Sequence, residues 1–397
     1  MTEPAAVVDA APLRGLPQLV IRGRGLLPIV QGGMGVGISA HRLAGAVARL
    51  GGVGTIASVD LRRHHADLMA TSNNADKATV DAANVTALDR EIRVAKDIAC
   101  GNGMIAVNVM RAVSEYAAYV RQSCESGADA IVVGAGLPLD LPELAAPWPD
   151  VALIPILSDA RGIQLVVKKW ARKGRLPDAI VIEHPRYAGG HLGAAKLEDL
   201  TDPRFDFERV LPEVLAFFRA EGIAEHTIPL IPAGGINTHE RIRALIALGA
   251  AAVQIGTPFA VTEEGDADVA FKRVLAEAKP QDIVEFMSVA GLPARAVRTP
   301  WLESYLKHLP KMQAVARKKL RCTLKFDCLF QCGLRDGIAK IGQFCIDKQL
   351  AAALKGDVAK GLFFRGAALL PFGGEIRPVR ELIDYLLTGL RPTTTAM

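Results

Sequence analysis

The chain has 397 residues, of which 50% are hydrophobic, and a formal net charge of +5 from 47 Lys and Arg against 42 Asp and Glu. This length suffices for one barrel of about 250 residues and a further domain of about 100. The charge is small for this length and the basic residues are scattered, which argues against a nucleic-acid-binding protein.

No stretch approaches about 18 uninterrupted apolar residues, and the first residues include Glu3 and Asp9 without the apolar core of a signal peptide. We therefore expect a cytoplasmic protein with no membrane partner. Six cysteines in so long a chain do not make a disulfide scaffold, so we expect reduced thiols. Residues 1–16 are rich in Ala and Pro without periodicity, which predicts a loose lead-in.

The first predicted strand covers residues 28–31 and ends in a glycine-rich run that begins with Gly32 and Gly33. So many glycines let the backbone approach a flat ligand closely, whereas a tight strand-to-helix turn needs only one or two. Ser39 is predicted to cap the helix that follows. The second strand, 53–57, leads into a long polar excursion that predicts a surface insertion over one rim.

Strand three covers residues 104–109 and carries Asn108 near its carboxyl end, although Asn is disfavoured in strands. Its amide can both donate to and accept from the edge of a heterocycle, with a cap on the next turn as the competing role. Strands four and five cover 130–133 and 152–157, and Asp159 follows the second of them.

Strand six covers residues 179–182 and runs into Glu183 and a glycine-rich loop that carries His191. A residue directly after a barrel strand lies at the rim where barrel enzymes have their active sites. Imidazole titrates near neutral pH, so His191 is a candidate base. The alternative is a histidine that only orders its loop through hydrogen bonds.

Strands seven and eight cover residues 228–233 and 252–255, and both end in glycine-containing turns. The helix between them is predicted to be capped by Asn237, with Glu240 in the capping-box position. Backbone N–H groups at such turns suit a phosphate. The eight strands predict an α/β protein with a (β/α)8 TIM barrel, and barrels of this fold commonly bind phosphate after the last two strands.

Beyond residue 259 the pattern changes to longer helical segments rich in Lys, Arg and Glu. We predict that residues 17–259 and 343–392 form the barrel and that residues 260–342 form an inserted helical lid or substrate domain. Four cysteines near the end of this segment have spacings that match neither zinc ribbons nor known iron–sulfur patterns, so we expect buried free thiols and no metal site. They are Cys322, Cys328, Cys332 and Cys345.

Five ordered motifs make the chain resemble the nitronate monooxygenase family, formerly called 2-nitropropane dioxygenases. The likeness extends from about residue 20 through the tail at 328–387. The motifs are Gln31-Gly32-Gly33-Met34, Asn108-Val109-Met110, Ala188-Gly189-Gly190-His191-Leu192-Gly193, Ala233-Gly234-Gly235-Ile236 and Gln254-Ile255-Gly256-Thr257.

The resemblance implies a flavoprotein monooxygenase with FMN over the barrel mouth, which oxidises nitronates or nitroalkanes with O2 to a carbonyl compound and nitrite. It implies that His191 takes the α-proton from a neutral nitroalkane, which a nitronate, already an anion, does not require. The residues that it implies for FMN binding are Gln31, Gly32, Gly33, Met34, Asn108, Glu183, Gly189, Ala233, Gly234, Gly235, Gln254, Ile255, Gly256 and Thr257.

Two departures from the family pattern leave the substrate open. The loop after Glu183 is longer than expected and carries Arg186 and Tyr187, and Asp159 stands where Ser is common. The same motifs occur in FMN-dependent enoyl-acyl-carrier-protein reductases, which would make the chain an NAD(P)H-dependent reductase of enoyl thioesters in fatty acid or polyketide metabolism.

A third hypothesis is a flavin-binding protein without catalysis, in which His191 orders a loop. In each case we expect a small-molecule ligand, with O2 or NAD(P)H as the redox partner of an enzyme. The oligomeric state is open, with a homodimer as one option.

Overall fold

The computed structural model describes residues 15–224, 226–317, 322 and 328–392. Its strands are β1 (Leu19–Ile21), β2 (Arg24–Leu26), β3 (Ile29–Gln31), β4 (Val53–Ala57), β5 (Met104–Met110), β6 (Ala130–Gly134), β7 (Ala152–Leu157), β8 (Ile180–Glu183), β9 (Gly190–His191), β10 (Leu230–Ala233), β11 (Val253–Ile255), β12 (Ile283–Met287) and β13 (Pro293–Val297). Its α-helices are α1 (His41–Arg49), α2 (Ala66–Ser72), α3 (Lys77–Ala99), α4 (Tyr116–Glu125), α5 (Leu141–Leu144), α6 (Ala160–Ala171), α7 (Phe207–Ala220), α8 (His239–Ala247), α9 (Thr257–Ala260), α10 (Val269–Glu277), α11 (Pro300–Ala314), α12 (Gly333–Asp336), α13 (Ile346–Leu354) and α14 (Val379–Thr388).

Strands β3 to β8, β10 and β11 form a closed barrel, in which β11 returns to pair with β3. All pairings within it are parallel, and β4 and β6 are buried along their whole length. Strands covered on both faces in this way read as continuous apolar runs. The prediction of an α/β (β/α)8 barrel is confirmed.

The antiparallel hairpin of β1 and β2 was not predicted from the sequence. Its buried side chains Leu19, Ile21 and Leu26 pack with side chains of the barrel interior such as Val53 and Met104. These two residues begin β4 and β5, so the hairpin covers the amino-terminal end of the barrel. The opposite rim, at the carboxyl ends of the strands, remains for a ligand.

The predicted cap of the first barrel helix is wrong. Ser39 precedes the N-cap residue Ala40 and accepts a hydrogen bond from the Met34 N–H at 2.9 Å. The amino end of α1 is instead capped by Asp266, whose carboxylate accepts from the N–H groups of Ala40 (2.8 Å), Arg42 (3.1 Å) and Leu43 (3.2 Å). A carboxylate more than two hundred residues away thus performs a role that local sequence assigned to a serine.

The start of α8 is also displaced by one residue from its prediction. Thr238 caps the helix by accepting from the Arg241 N–H at 3.2 Å. Asn237, the expected cap, donates its side-chain amide to the carbonyl of Leu369 in the carboxyl-terminal tail.

The segment 260–342 is not wholly helical as predicted. Besides helices it contains β12 and β13, which pair with each other and join the two-residue strand β9 in a three-stranded antiparallel sheet. All five residues of β13 are buried, so the alternation that identifies a half-exposed strand is missing. The division into domains remains a prediction. Residues 1–14 of the predicted lead-in and residues 318–321 and 323–327 of the predicted lid segment lie outside the described residues.

No helix within the described ranges is both long enough and apolar enough to cross a membrane.

Candidate active site

A cavity of about 630 Å³ opens at the carboxyl ends of the barrel strands. Its wall combines strand ends, the loop after β8 and the tail segment 362–370. This volume lies within the range of about 300–1,000 Å³ that is typical of small-molecule and cofactor sites. Barrel enzymes carry their active sites at this rim.

Almost all residues predicted for the site meet in this cavity. They are Gly32, Gly33, Met34, Asn108, Glu183, Gly189, His191, Ala233, Gly234, Gly235, Gln254, Ile255, Gly256 and Thr257. Gln31 is the exception, because its buried amide bonds to the backbone of Thr55, accepting from the N–H at 2.8 Å and donating to the carbonyl at 3.1 Å. Gln31 therefore joins β3 to β4, and the structure does not bring it to the cavity.

The turns after β10 and β11 form a cradle of backbone donors. Gly234 and Gly235 have φ angles of +105° and +73°, which favour glycine. Among the described residues, the N–H groups of Gly234, Gly235, Gly256 and Thr257 donate no backbone hydrogen bond. A Cβ on Gly256 would have only the Met34 sulfur within 4 Å, at 3.8 Å, so this side of the cradle faces open space. Free N–H groups facing a cavity fit a phosphate.

Two further glycines of the cavity wall leave no space for a side chain. A Cβ on Gly33 would lie 2.3 Å from the Cβ of Asn108, whose amide donates to the carbonyl of Val132 at 3.3 Å. A Cβ on Gly189 would lie 2.5 Å from the backbone nitrogen of Gly366. Glycine is therefore required at both points, because a Cβ would overlap the neighbouring atoms.

His191 lies on β9, opposite Ala294 of β13, with its ring centre 5.7 Å from that of Phe364. Its Nε2 atom is buried and has no hydrogen-bond partner within the described chain. Burial lowers the pKa of His191 to about 4, because the cation would lose its hydration. At neutral pH the ring is uncharged and can accept a proton.

Glu183 ends β8, and its partly exposed surface lines the same cavity. Burial raises the pKa of its carboxyl group to about 7, against the opposing field of Arg295. A carboxyl group with this pKa changes charge near neutral pH, which is typical of functional rather than structural carboxylates.

Arg295 is a residue of this region that the sequence reasoning missed. Its side chain is 2% exposed, and Nη1 donates to the carbonyl of Pro185 at 3.1 Å and to that of Ala188. Its Nε donates to Glu285 at 3.2 Å. Arg295 thus ties the loop that carries His191 to β13. The available signal was a lone arginine within the otherwise apolar run of β13.

The residues that depart from the family pattern lie in different surroundings. Asp159 caps α6 by accepting from the Gly162 N–H at 2.7 Å, although it also lines the cavity. Tyr187 lines the cavity and packs edge-on against His184 at 4.7 Å. The side chain of Arg186 is exposed to solvent.

Among the four cysteines, Cys328 lines the cavity. Burial raises the pKa of the Cys328, Cys332 and Cys345 thiols, so they remain protonated. Within the part of the chain that the structure describes, no three His, Cys, Asp or Glu side chains are grouped so that they could hold a metal ion.

The sequence model of the nitronate monooxygenase family matches residues 25–389. A "probable nitronate monooxygenase" of Bacillus subtilis is 30% identical over 124 residues, which are 31% of this chain and 33% of that protein. A "(3aS,4S,5R,7aS)-5-hydroxy-7a-methyl-1-oxo-octahydro-1H-indene-4-carboxyl-CoA dehydrogenase" of Mycobacterium tuberculosis is 26% identical over 276 residues, which are 70% of this chain and 64% of that protein.

Among solved structures, FabK of Thermotoga maritima has the same fold, with a TM-score of 0.60 and 23% identity over 91% of both chains. The match to the curated nitronate monooxygenase of Bacillus subtilis spans about a third of its length.

Proposed function

The chain belongs to the nitronate monooxygenase family, and on that basis we propose that it is an FMN-dependent oxidoreductase that converts nitronates or nitroalkanes and O2 to a carbonyl compound and nitrite. Membership of the family supports an oxidoreductase that acts on small molecules. The observation that carries the finer proposal is one cavity that combines free backbone donors, a glycine wall and an unpartnered imidazole nitrogen.

The cavity fits a flavin mononucleotide. The N–H groups of Gly234, Gly235, Gly256 and Thr257 would hold a single phosphate, and Gly33 and Gly189, which line the cavity without a side chain, would leave room for a flat ring. Asn108 keeps its side-chain oxygen as an acceptor, because its amide nitrogen is the atom bonded to Val132. When bound, the flavin supplies redox chemistry that ordinary side chains lack.

We propose that His191 is the catalytic residue. His191 lines the cavity with an uncharged ring whose buried Nε2 has no hydrogen-bond partner in the described chain, so this atom would take the α-proton of a neutral nitroalkane that is bound against it. The antiparallel pairing of β9 with β13 and the packing against Phe364 hold the ring in place. A nitronate carries no such proton, so its oxidation would not require His191.

The second candidate function is an NAD(P)H-dependent reductase of enoyl thioesters. Two observations favour it. The relative that matches 70% of this chain is named for a coenzyme A thioester. The cavity also extends beyond the proposed flavin site to Asp81, Glu115 and Cys328, which leaves space for a longer substrate. A flavin-binding protein without catalysis is the third candidate. A cytoplasmic location and a homodimer remain predictions.

An anaerobic absorbance spectrum of the purified protein distinguishes the three candidates. We would record it before and after addition of propyl-2-nitronate and, separately, of NADPH. Loss of flavin absorbance with nitronate but not with NADPH supports the monooxygenase, whereas loss with NADPH alone supports the reductase. No flavin bands, even after reconstitution with FMN, would contradict all three.

Two histidine variants test the catalytic residue. We expect His191→Ala to lose activity on neutral nitroalkanes and to retain bound flavin. The matched control is His308→Ala, because His308 is exposed on α11 and bonds only to the Ser304 carbonyl of its own helix. If neither variant differs from the wild type in any activity, His191 only orders its loop.

A further inference from the structure

His191 alone is a poor final site for a proton. Its pKa is lowered by burial, and no acidic group raises it. Within the described residues, Nε2 has no hydrogen-bond partner that would stabilise an imidazolium. A proton taken from a substrate by this ring must therefore move on, and among the carboxylates that line the same cavity one faces the loop of His191.

That group is the Glu183 carboxylate. Glu183 pairs with Ala233 at the end of β10, directly before the glycine cradle. A Cβ on Gly193, in the loop that carries His191, would lie 3.4 Å from Glu183 Oε2, so this carboxylate faces that loop. Its side chain accepts no hydrogen bond from the described residues. A partly exposed carboxylate that receives no hydrogen bond from the folded chain keeps both oxygens available to take a proton.

The charges around Glu183 leave it free to titrate. After β7, Asp159 caps α6, and on β13, Arg295 already pairs with Glu285. On its own loop, His184 bonds to Asp206 at 3.2 Å. The loop also carries Arg186, which is exposed, Tyr187, which packs on His184, and the uncharged His191. Arg295 is the charged residue whose field reaches Glu183.

We propose that Glu183 is the final acceptor of the α-proton when the substrate is a neutral nitroalkane. The C–H bond breaks and its electron pair stays on the substrate as the nitronate. His191 takes the proton, and water in the cavity relays it to a Glu183 oxygen, which returns the imidazole to its neutral form. No oxidation or reduction occurs in this step. The inference rests on the proposed function, because it concerns the same substrate.

The expected signature is a pH dependence that differs between two substrates. Glu183 can accept a proton only when ionised, so kcat/KM for nitroethane should rise with pH through about 7. The kcat/KM for the ethyl nitronate anion should show no such rise, because its proton is already absent. A wild-type nitroethane profile without a rise near pH 7 would overturn the inference, whatever the variants do.

Three variants and a readout independent of oxidation complete the test. Anaerobic exchange of the nitroethane α-hydrogens with D2O, followed by proton NMR, reports proton removal alone. We expect Glu183→Gln, compared with the wild type at equal FMN occupancy, to lower this exchange and nitroethane turnover by about 100-fold or more and to abolish the rise near pH 7. Glu183→Asp should restore part of the exchange, and Glu303→Gln, on the exposed face of α11, should match the wild type.

The outcomes distinguish a failure of the role of Glu183 from a failure of the proposed function. If the wild type oxidises nitronate but Glu183→Gln exchanges and oxidises nitroethane as the wild type does, the role of Glu183 is refuted and the proposed function stands. If the wild type oxidises neither substrate, the proposed function fails and the inference fails with it.

Discussion

Replacing Arg295 with Met tests whether one buried side chain holds the loop of His191 in place. The guanidinium donates to the carbonyls of Pro185 and Ala188, which lie on the loop between β8 and β9. Methionine retains much of the volume and removes these donors. Both carbonyls would then be left without their buried partner.

The magnitude follows from the burial of each partner. A buried acceptor that loses its donor costs about 1–3 kcal/mol, and two are affected here. Breaking a fully buried ion pair costs about 3–5 kcal/mol, but the side chain of Glu285 is 45% exposed and can be hydrated. We therefore expect Arg295→Met to lower the free energy of unfolding by about 3 kcal/mol, near the lower limit for a buried pair.

The assay is urea unfolding of the FMN-reconstituted protein, with steady-state kinetics on nitroethane alongside. The matched control is Arg298→Met, since the Arg298 side chain is exposed just beyond β13 and should change stability by about 0.5 kcal/mol or less. A displaced loop should lower kcat on nitroethane by up to about 100-fold, and Arg295→Lys should recover only part, because an ammonium lacks the planar fork. Equal stability of Arg295→Met and Arg298→Met would refute the reasoning.

Three further predictions concern stability and cofactor binding. Burial raises the pKa of Glu183 from 4.5 to about 7 in the folded protein. The free energy of unfolding of the wild type should therefore fall by up to about 3 kcal/mol relative to that of Glu183→Gln as pH rises from about 4.5 through 7, at about 1.4 kcal/mol per pKa unit. A constant difference between the two proteins in urea unfolding across this range would contradict the prediction. Gly189→Ala should destabilise the protein by about 1–3 kcal/mol and weaken FMN binding in a fluorescence titration, because the new Cβ would lie 2.5 Å from the Gly366 nitrogen. The control is Gly374→Ala, since a Cβ on Gly374 would have no atom within 4 Å. Asp266→Ala should lower the free energy of unfolding by about 1–2 kcal/mol because α1 loses its cap, and the stability of Asp266→Asn should lie between those of Asp266→Ala and the wild type. If both variants unfold at the same temperature as the wild type, the cap contributes nothing to stability.

The sequence by itself determined the barrel and its ligand rim. Parallel strands that are covered on both faces appear as short apolar runs, and β4 and β7 were predicted with their exact bounds. Where such a strand ends, the chain enters the rim, so glycines and polar residues at that point mark the site. For this reason Asn108, His191 and the Gly234-Gly235 turn could be assigned to one cavity without coordinates.

Only the tertiary structure decided which polar groups are free. Gln31 ends β3 as Glu183 ends β8, but the amide of Gln31 bonds to the backbone of Thr55 on the neighbouring strand and does not reach the cavity. The cap of α1 is Asp266, and the anchor of the loop of His191 is Arg295, both distant in sequence from what they hold. A polar side chain can make only a few hydrogen bonds. Which partners it meets depends on how distant segments of the chain pack, and local sequence patterns do not encode that packing.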